Sequence, residues 1–176
     1  MRALLAVVLF ASLGVVAADQ VPFAIVYGPK AAFNIAAPDG WVIDNSAAQG
    51  LPCVLYRKGE SWEAGDPVMY AKIAGTSIED AEAFVKDAMD DMKKRRGEVK
   101  VKRVETGKTK DGRVWFINEY SPNEKYRRSE RVAYVQLPRA VAYIVYTSDD
   151  AALFRKHQGA LQQLLASFSY LEPKKE

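Results

Sequence analysis

Nucleophilic and metal chemistry in this 176-residue chain would have to run through a single cysteine and a single histidine. Cys53 follows Pro52 and opens the apolar run Cys53-Val54-Leu55-Tyr56. A reactive thiol needs a base or a cation beside it, and nothing local supplies one, so Cys53 is expected as a small buried hydrophobe on a strand. Standing alone, it forms no internal disulfide. His157 has the residue type for acid–base work. Helical projection puts it near the centre of an apolar face formed by Phe154, Leu161, Leu164 and Phe168, which is the setting of a core or core-edge histidine satisfied by one hydrogen bond. A zinc centre needs more His or Cys ligands than the chain holds. No serine lies in a Gly-x-Ser-x-Gly turn, since Ser167 and Ser169 flank the apolar Phe168. The stretch Lys108-Thr109-Lys110-Asp111-Gly112 has the look of a hairpin end rather than a phosphate loop. No catalytic residue, metal or cofactor is therefore expected. The remaining enzyme-like reading is a small-ligand cleft between sheet and helix that uses His157 or Cys53.

Three other groups have types suited to binding. Glu60, Glu63 and Asp66 could offer oxygens to calcium, but they lack the regular spacing of a calcium loop and are expected as a solvated loop. Tyr126, Arg127 and Arg128 sit in the turn Tyr120 to Arg131 between two strands. Tyr and Arg are enriched where proteins grip partners, because they combine apolar area with directional donors. The competing role for such a turn is a charged hairpin that keeps a sheet edge soluble. Trp62, in the polar loop Lys58 to Pro67, has no apolar neighbours in sequence, and so either tucks into the core or meets a ligand. Lys93 to Arg96, continued by Lys100, Lys102 and Arg103, suit a helix C-terminus and a solvated strand face, with an anionic surface as the alternative partner.

The positioning elements begin after an apparent leader. Met1-Arg2, the apolar run Ala3 to Phe10 and the small residues Val16-Ala17-Ala18 match a secretory signal peptide cleaved before Asp19. The expected product is exported, periplasmic or secreted, with boundaries at 1–18 for the leader, 19–32 for a lead-in, 33–171 for one domain and 172–176 for a tail. The whole chain carries a formal charge of +3, and loss of Arg2 lowers it by one. Such a balance excludes a nucleic-acid partner.

Strands are expected at Phe33-Asn34-Ile35, Trp41-Val42-Ile43, Cys53 to Arg57 and Val68 to Ala74. A helix follows, capped by Thr76 or Ser77, with Ile78, Ala81, Phe84, Val85, Ala88, Met89 and Met92 on one face. Acidic residues in its first turn and Lys93 to Arg96 in its last suit the helix dipole, and Gly97 is the expected stop. Val99 to Glu105, Arg113 to Tyr120, Ser129 to Leu137 and Ala140 to Thr147 are successive strands on short turns, which implies antiparallel pairing. A second helix capped by Asp149 or Asp150 runs to about Ala166, and Ser167 to Leu171 forms a last strand. The expected class is α+β, an antiparallel sheet flanked by helices in an α/β/α sandwich.

Three of these segments together resemble the PsbP/Mog1-like family. They are Phe33-Asn34-Ile35-Ala36-Ala37-Pro38-Asp39-Gly40-Trp41, the helix start Ser77-Ile78-Glu79-Asp80 after the strand of Val68 and Tyr70, and Ala142 to Thr147 followed by Phe154 and Ser167-Phe168. The resemblance covers roughly Phe33 to Leu171 and implies a fold seen mainly in binding and assembly proteins, among them exported bacterial proteins. It carries no catalytic residues across. The functional expectation is an exported, non-enzymatic binding or accessory module for a protein or envelope component, with Tyr126, Arg127, Arg128 and Trp62 as its contacts.

Overall fold

The computed structural model describes residues 22–75 and 77–172. The leader, Thr76 and the last four residues of the tail lie outside the described residues. Ten strands and three helices follow in chain order: β1 (Phe23–Tyr27), β2 (Ala32–Ala36), β3 (Trp41–Asp44), β4 (Cys53–Arg57), β5 (Val68–Ile73), α1 (Ala81–Arg96), β6 (Val101–Lys108), β7 (Val114–Tyr120), β8 (Ser129–Leu137), β9 (Ala140–Ser148), α2 (Ala151–His157), α3 (Gly159–Ser167) and β10 (Ser169–Leu171). The fold is the expected α+β class, with all strand pairs antiparallel.

Seven strands form one sheet in the order β3-β4-β5-β9-β8-β7-β6, and β1-β2-β10 form a second, small sheet. Alternation along β9 shows how the large sheet serves two layers. Ala142, Ile144 and Tyr146 face a core shared with Phe33 and Ile35 of the small sheet and with Phe154, Leu161, Leu164, Leu165 and Phe168. Val141 and Val145 face the other way, toward α1. Phe33 stacks on Phe168 with centroids 4.6 Å apart, joining the small sheet to the end of α3.

Several local expectations need correction. The lead-in is part of the fold, because β1 pairs with β2 along its whole length and buries Ala24 and Val26. Alternation alone placed Phe33 in a strand, whereas Phe23-Ala24-Ile25-Val26-Tyr27 is uniformly apolar and shows no period. The cap of α1 is Asp80, whose side chain accepts from the Ala83 N–H, and not Ser77. At its other end Gly97 takes φ +77° and donates to the Lys93 carbonyl, as its type foretold. The second helix is interrupted for one residue at Gln158, between α2 and α3, where the backbone keeps right-handed helical angles of φ −57° and ψ −26°. Asp150 caps α2 by accepting from Ala152 and Leu153.

Among the described residues no helix is long and apolar enough to cross a membrane.

Candidate functional site

Antiparallel order brings the β4–β5 loop, the β7–β8 loop, the β9–α2 junction and the C-terminal end of α1 to one end of the large sheet. One acidic side chain ties three of them together. The Asp66 carboxylate accepts from the backbone N–H groups of Asp149 and Asp150, each at 3.1 Å. Arg128 places its Nε 2.9 Å from Asp149 and its terminal nitrogen 3.9 Å from Asp66. Such partly exposed ion pairs contribute little free energy singly, but here they fix the relative placement of three loops.

Asn123 fastens the β7–β8 loop to α1. Its side-chain oxygen accepts from the N–H groups of Lys125 and Tyr126, and its amide donates to the carbonyls of Arg96 and Glu98. Tyr126 is half-buried under the Arg96 guanidinium, 3.8 Å from ring centroid to Cζ, a cation–π arrangement. Its hydroxyl donates to Glu130 at 2.9 Å. Glu130 is buried and lies 3.6 Å from Arg96. Burial and the nearby Glu130 carboxylate push the Tyr126 phenol upward.

Of the four candidate contacts, two use their polar groups inside the chain and two are turned differently. Tyr126 and Arg128 hold the loop in shape. Arg127 is exposed, and Trp62 is half-buried in the β4–β5 loop that Asp66 anchors. Sequence inspection grouped the four by residue type and could not separate anchors from free side chains, because their partners (Glu130, Asp149 and Asp66) are distant in sequence or offer no local pattern.

The candidates for chemistry fall elsewhere. Cys53 is fully buried, and desolvation, helped by the Asp44 charge, raises its thiol to about 12. It opens β4, whereas Arg57, which contacts His157, closes it, about 13 Å further along at ordinary strand rise. The two groups therefore do not share a site. His157 is not at the centre of an apolar face but at its edge, half-buried, with Nε2 3.3 Å from the Arg57 guanidinium. A guanidinium only donates, so Nε2 accepts and the imidazole is neutral. Desolvation first, then the Arg57 and Lys156 charges, lower its pKa, against the smaller opposing effect of Glu60.

The acidic loop is divided between separate tasks: Glu60 pairs with Arg57, and Asp66 anchors the α2 start. The basic run is likewise dispersed. Lys93 pairs with Glu98, Arg95 with Asp91 and Arg96 with Glu130, while Arg103 donates twice to Glu82 and covers the Phe116 ring at 3.8 Å.

A cleft between sheet and helix does exist, about 380 Å³ in volume, between α2 and the ends of β7 and β8. Neither His157 nor Cys53 lines it. Its charged groups come from Glu119, Arg131 and Arg155, with Gln158, Ser121 and Ser129 as neutral polar lining. No short motif links these positions, so the sequence offered no signal for them.

No family profile and no curated protein sequence matches the chain. Its fold is similar to that of solved structures. The solution structure of cyanobacterial PsbP from Synechocystis sp. PCC 6803 superposes with TM-score 0.55 over 92% of this chain and 98% of that one, at 13% identity. A Pseudomonas aeruginosa protein of unknown function gives TM-score 0.42 over 88% of this chain and 99% of the other, at 15% identity. A Bacteroides thetaiotaomicron protein gives 0.40 over 80% of this chain and 45% of the other, at 10% identity. Identity this low carries no residue roles across. The conclusion is one of architecture: the chain has a PsbP-like α+β fold.

Proposed function

We propose that this chain is an exported, non-enzymatic binding or accessory module that acts through a protein or envelope partner. The observation that carries the reading is the braced end of the large sheet, where Asp66, Arg128 and Asn123 tie the β4–β5 and β7–β8 loops to their neighbours while Arg127 stays exposed and Trp62 half-buried. A pre-ordered surface loses less conformational entropy on association than a mobile one, and Arg and Trp are the types that dominate binding energy when they meet a partner. The leader-like Met1 to Ala18 supports export, and the PsbP-like fold is compatible with an accessory role. The buried Cys53 thiol and the contact of His157 Nε2 with the Arg57 guanidinium favour a role without covalent or acid–base chemistry.

The test is a cross-linking pull-down from the envelope fraction, with the chain from Asp19 onward as bait. Arg127→Ala is expected to unfold at the same denaturant concentration as the parent and Trp62→Ala to lose about 1 kcal/mol for its half-buried ring, both staying folded yet losing the captured partner. Tyr126→Ala and Arg128→Ala are expected to lower stability as well, because both residues brace the loop. Retention of the partner by a folded Trp62→Ala, Arg127→Ala double variant would overturn the assignment of this face.

A further inference from the structure

We infer that the cleft between α2 and the ends of β7 and β8 binds a small carboxylate carried on a compact apolar body. Its volume of about 380 Å³ lies in the range of small-molecule sites. Pro122 and the small exposed part of Phe154 supply apolar wall, the Phe154 ring itself being stacked on Tyr146 and covered by Arg131.

The charges that face this space are unequal in availability. Glu119 is engaged within the wall: Arg131 donates to one of its oxygens from Nε at 2.8 Å and approaches the same oxygen with a terminal nitrogen at 2.7 Å. Arg155 sits in the last turn of α2 and, among the described residues, pairs with no carboxylate. The Arg155 charge acts on Asp150, whose carboxylate also accepts from the N–H groups of Ala152 and Leu153. The cleft therefore has one cation held in a direct ion pair and one that, among the described residues, makes none.

Gln158 adds a neutral donor. It stands at the break between α2 and α3, and its side chain makes no capping bond to α3, which leaves the amide for the cleft. Ser121 and Ser129 also line the cleft. A guanidinium, an amide and hydroxyls lining one cleft beside apolar wall suit an oxyanion attached to an apolar group. The cleft shares the β7–β8 loop with the Arg127 and Trp62 face but is lined by neither of those residues, so their substitution and that of Arg155 test the two assignments apart.

Benzoate is the probe, with neutral benzamide and inorganic phosphate beside it, each titrated into the ¹⁵N-labelled chain from Asp19 onward and followed by amide chemical shifts. Benzoate is expected to give saturable shifts at Ser121, Ala151 to Gln158 and Arg131, with benzamide and phosphate weaker by about tenfold, as loss of a charge-assisted bond or of the apolar contact implies. Two substitutions should act in opposite directions. Arg155→Glu removes the cation that makes no direct ion pair and is expected to abolish saturation. Glu119→Gln releases Arg131 and is expected to tighten benzoate binding, a gain that misfolding would not produce. Absence of saturable shifts with benzoate, an equal response to benzamide or to phosphate, or insensitivity to both substitutions in chains that still show a native spectrum would overturn the assignment.

Discussion

Against the small sheet and α3, Phe33, Ile35, Leu161, Leu164, Leu165 and Phe168 are each at most 1% exposed. On the opposite face of the same large sheet, α1 buries only Ala81 and leaves Phe84, Val85, Met89 and Met92 half-buried over Tyr70, Tyr120, Tyr134 and Tyr143. The first layer is dry and close-packed, and its stabilisation is the removal of apolar area from water. The second is an aromatic layer with polar tips, which must satisfy its hydroxyls as it packs. Tyr120 and Tyr134 do so with each other at 2.7 Å, and burial raises both phenols. Arg103 lies over Phe116 and Arg96 over Tyr126, so cations complete the cover that a longer or more apolar helix would have provided. What the difference teaches is that a sheet face can be closed by volume or by a polar network. The network side adjoins the braced loop end.

Substitutions should separate the two faces. The largest effect is expected from Leu164→Ala on the dry face, a loss of about 2–5 kcal/mol in urea unfolding. Met89→Ala on the tyrosine face should cost clearly less, about 1 kcal/mol, because a half-buried side chain removes less area from water. Equal losses at the two sites would erase the distinction.

Glu130→Gln tests the network. It removes the charge that Tyr126 and Arg96 share and should cost about 1.5–3 kcal/mol if those bonds are charge-assisted. It should also shift the amide resonances of the β7–β8 loop. A silent Glu130→Gln would reduce the network to incidental contacts.

Acid should weaken the join between the β4 end and α2. His157 has a folded pKa below its ordinary 6.5. The unfolded chain therefore takes up the proton first, so the stability held above 6.5 falls as the pH drops through that value, and the loss stops growing below the lowered folded pKa. His157→Gln keeps an acceptor for Arg57 without titrating. Between roughly pH 8 and roughly pH 5 it should lose less stability than the parent, and an identical loss would remove His157 from the account.

The smallest stability change belongs to Arg103→Ala, about 0.5 kcal/mol, for an exposed pair with Glu82 and a ring contact. On the dry face the matching probe is chemical: Cys53, raised to about 12, should resist thiol reagents until the chain unfolds. Reaction in native buffer would mean that this layer opens.

The strand β8 could be placed from sequence because the apolar run Val132 to Val135 lies between the Ser121-Pro122-Asn123 turn and Pro138-Arg139. The α1 face was equally plain from its spacing of three and four. The small sheet was less legible: β1 has no alternation, and β10, which pairs with the far side of β2, lies more than a hundred residues further along, so neither carries a local sign of the sheet they share. The candidate contacts show the same limit. Tyr126 and Arg127 are neighbours with similar surface-like types, yet one is held by Glu130 and Arg96 and the other is exposed.

Hydrophobic period, capping types and turn residues act over a few positions, and so the α+β class, most strand positions and the stop at Gly97 were determined by sequence alone. Which side of the sheet each layer covers, the break at Gln158, the anchoring of α2 by Asp66 and the placement of Arg155 in the cleft were decided by tertiary structure. Burial and the pairing of charges depend on groups brought together across the fold, and no local pattern records which groups those are.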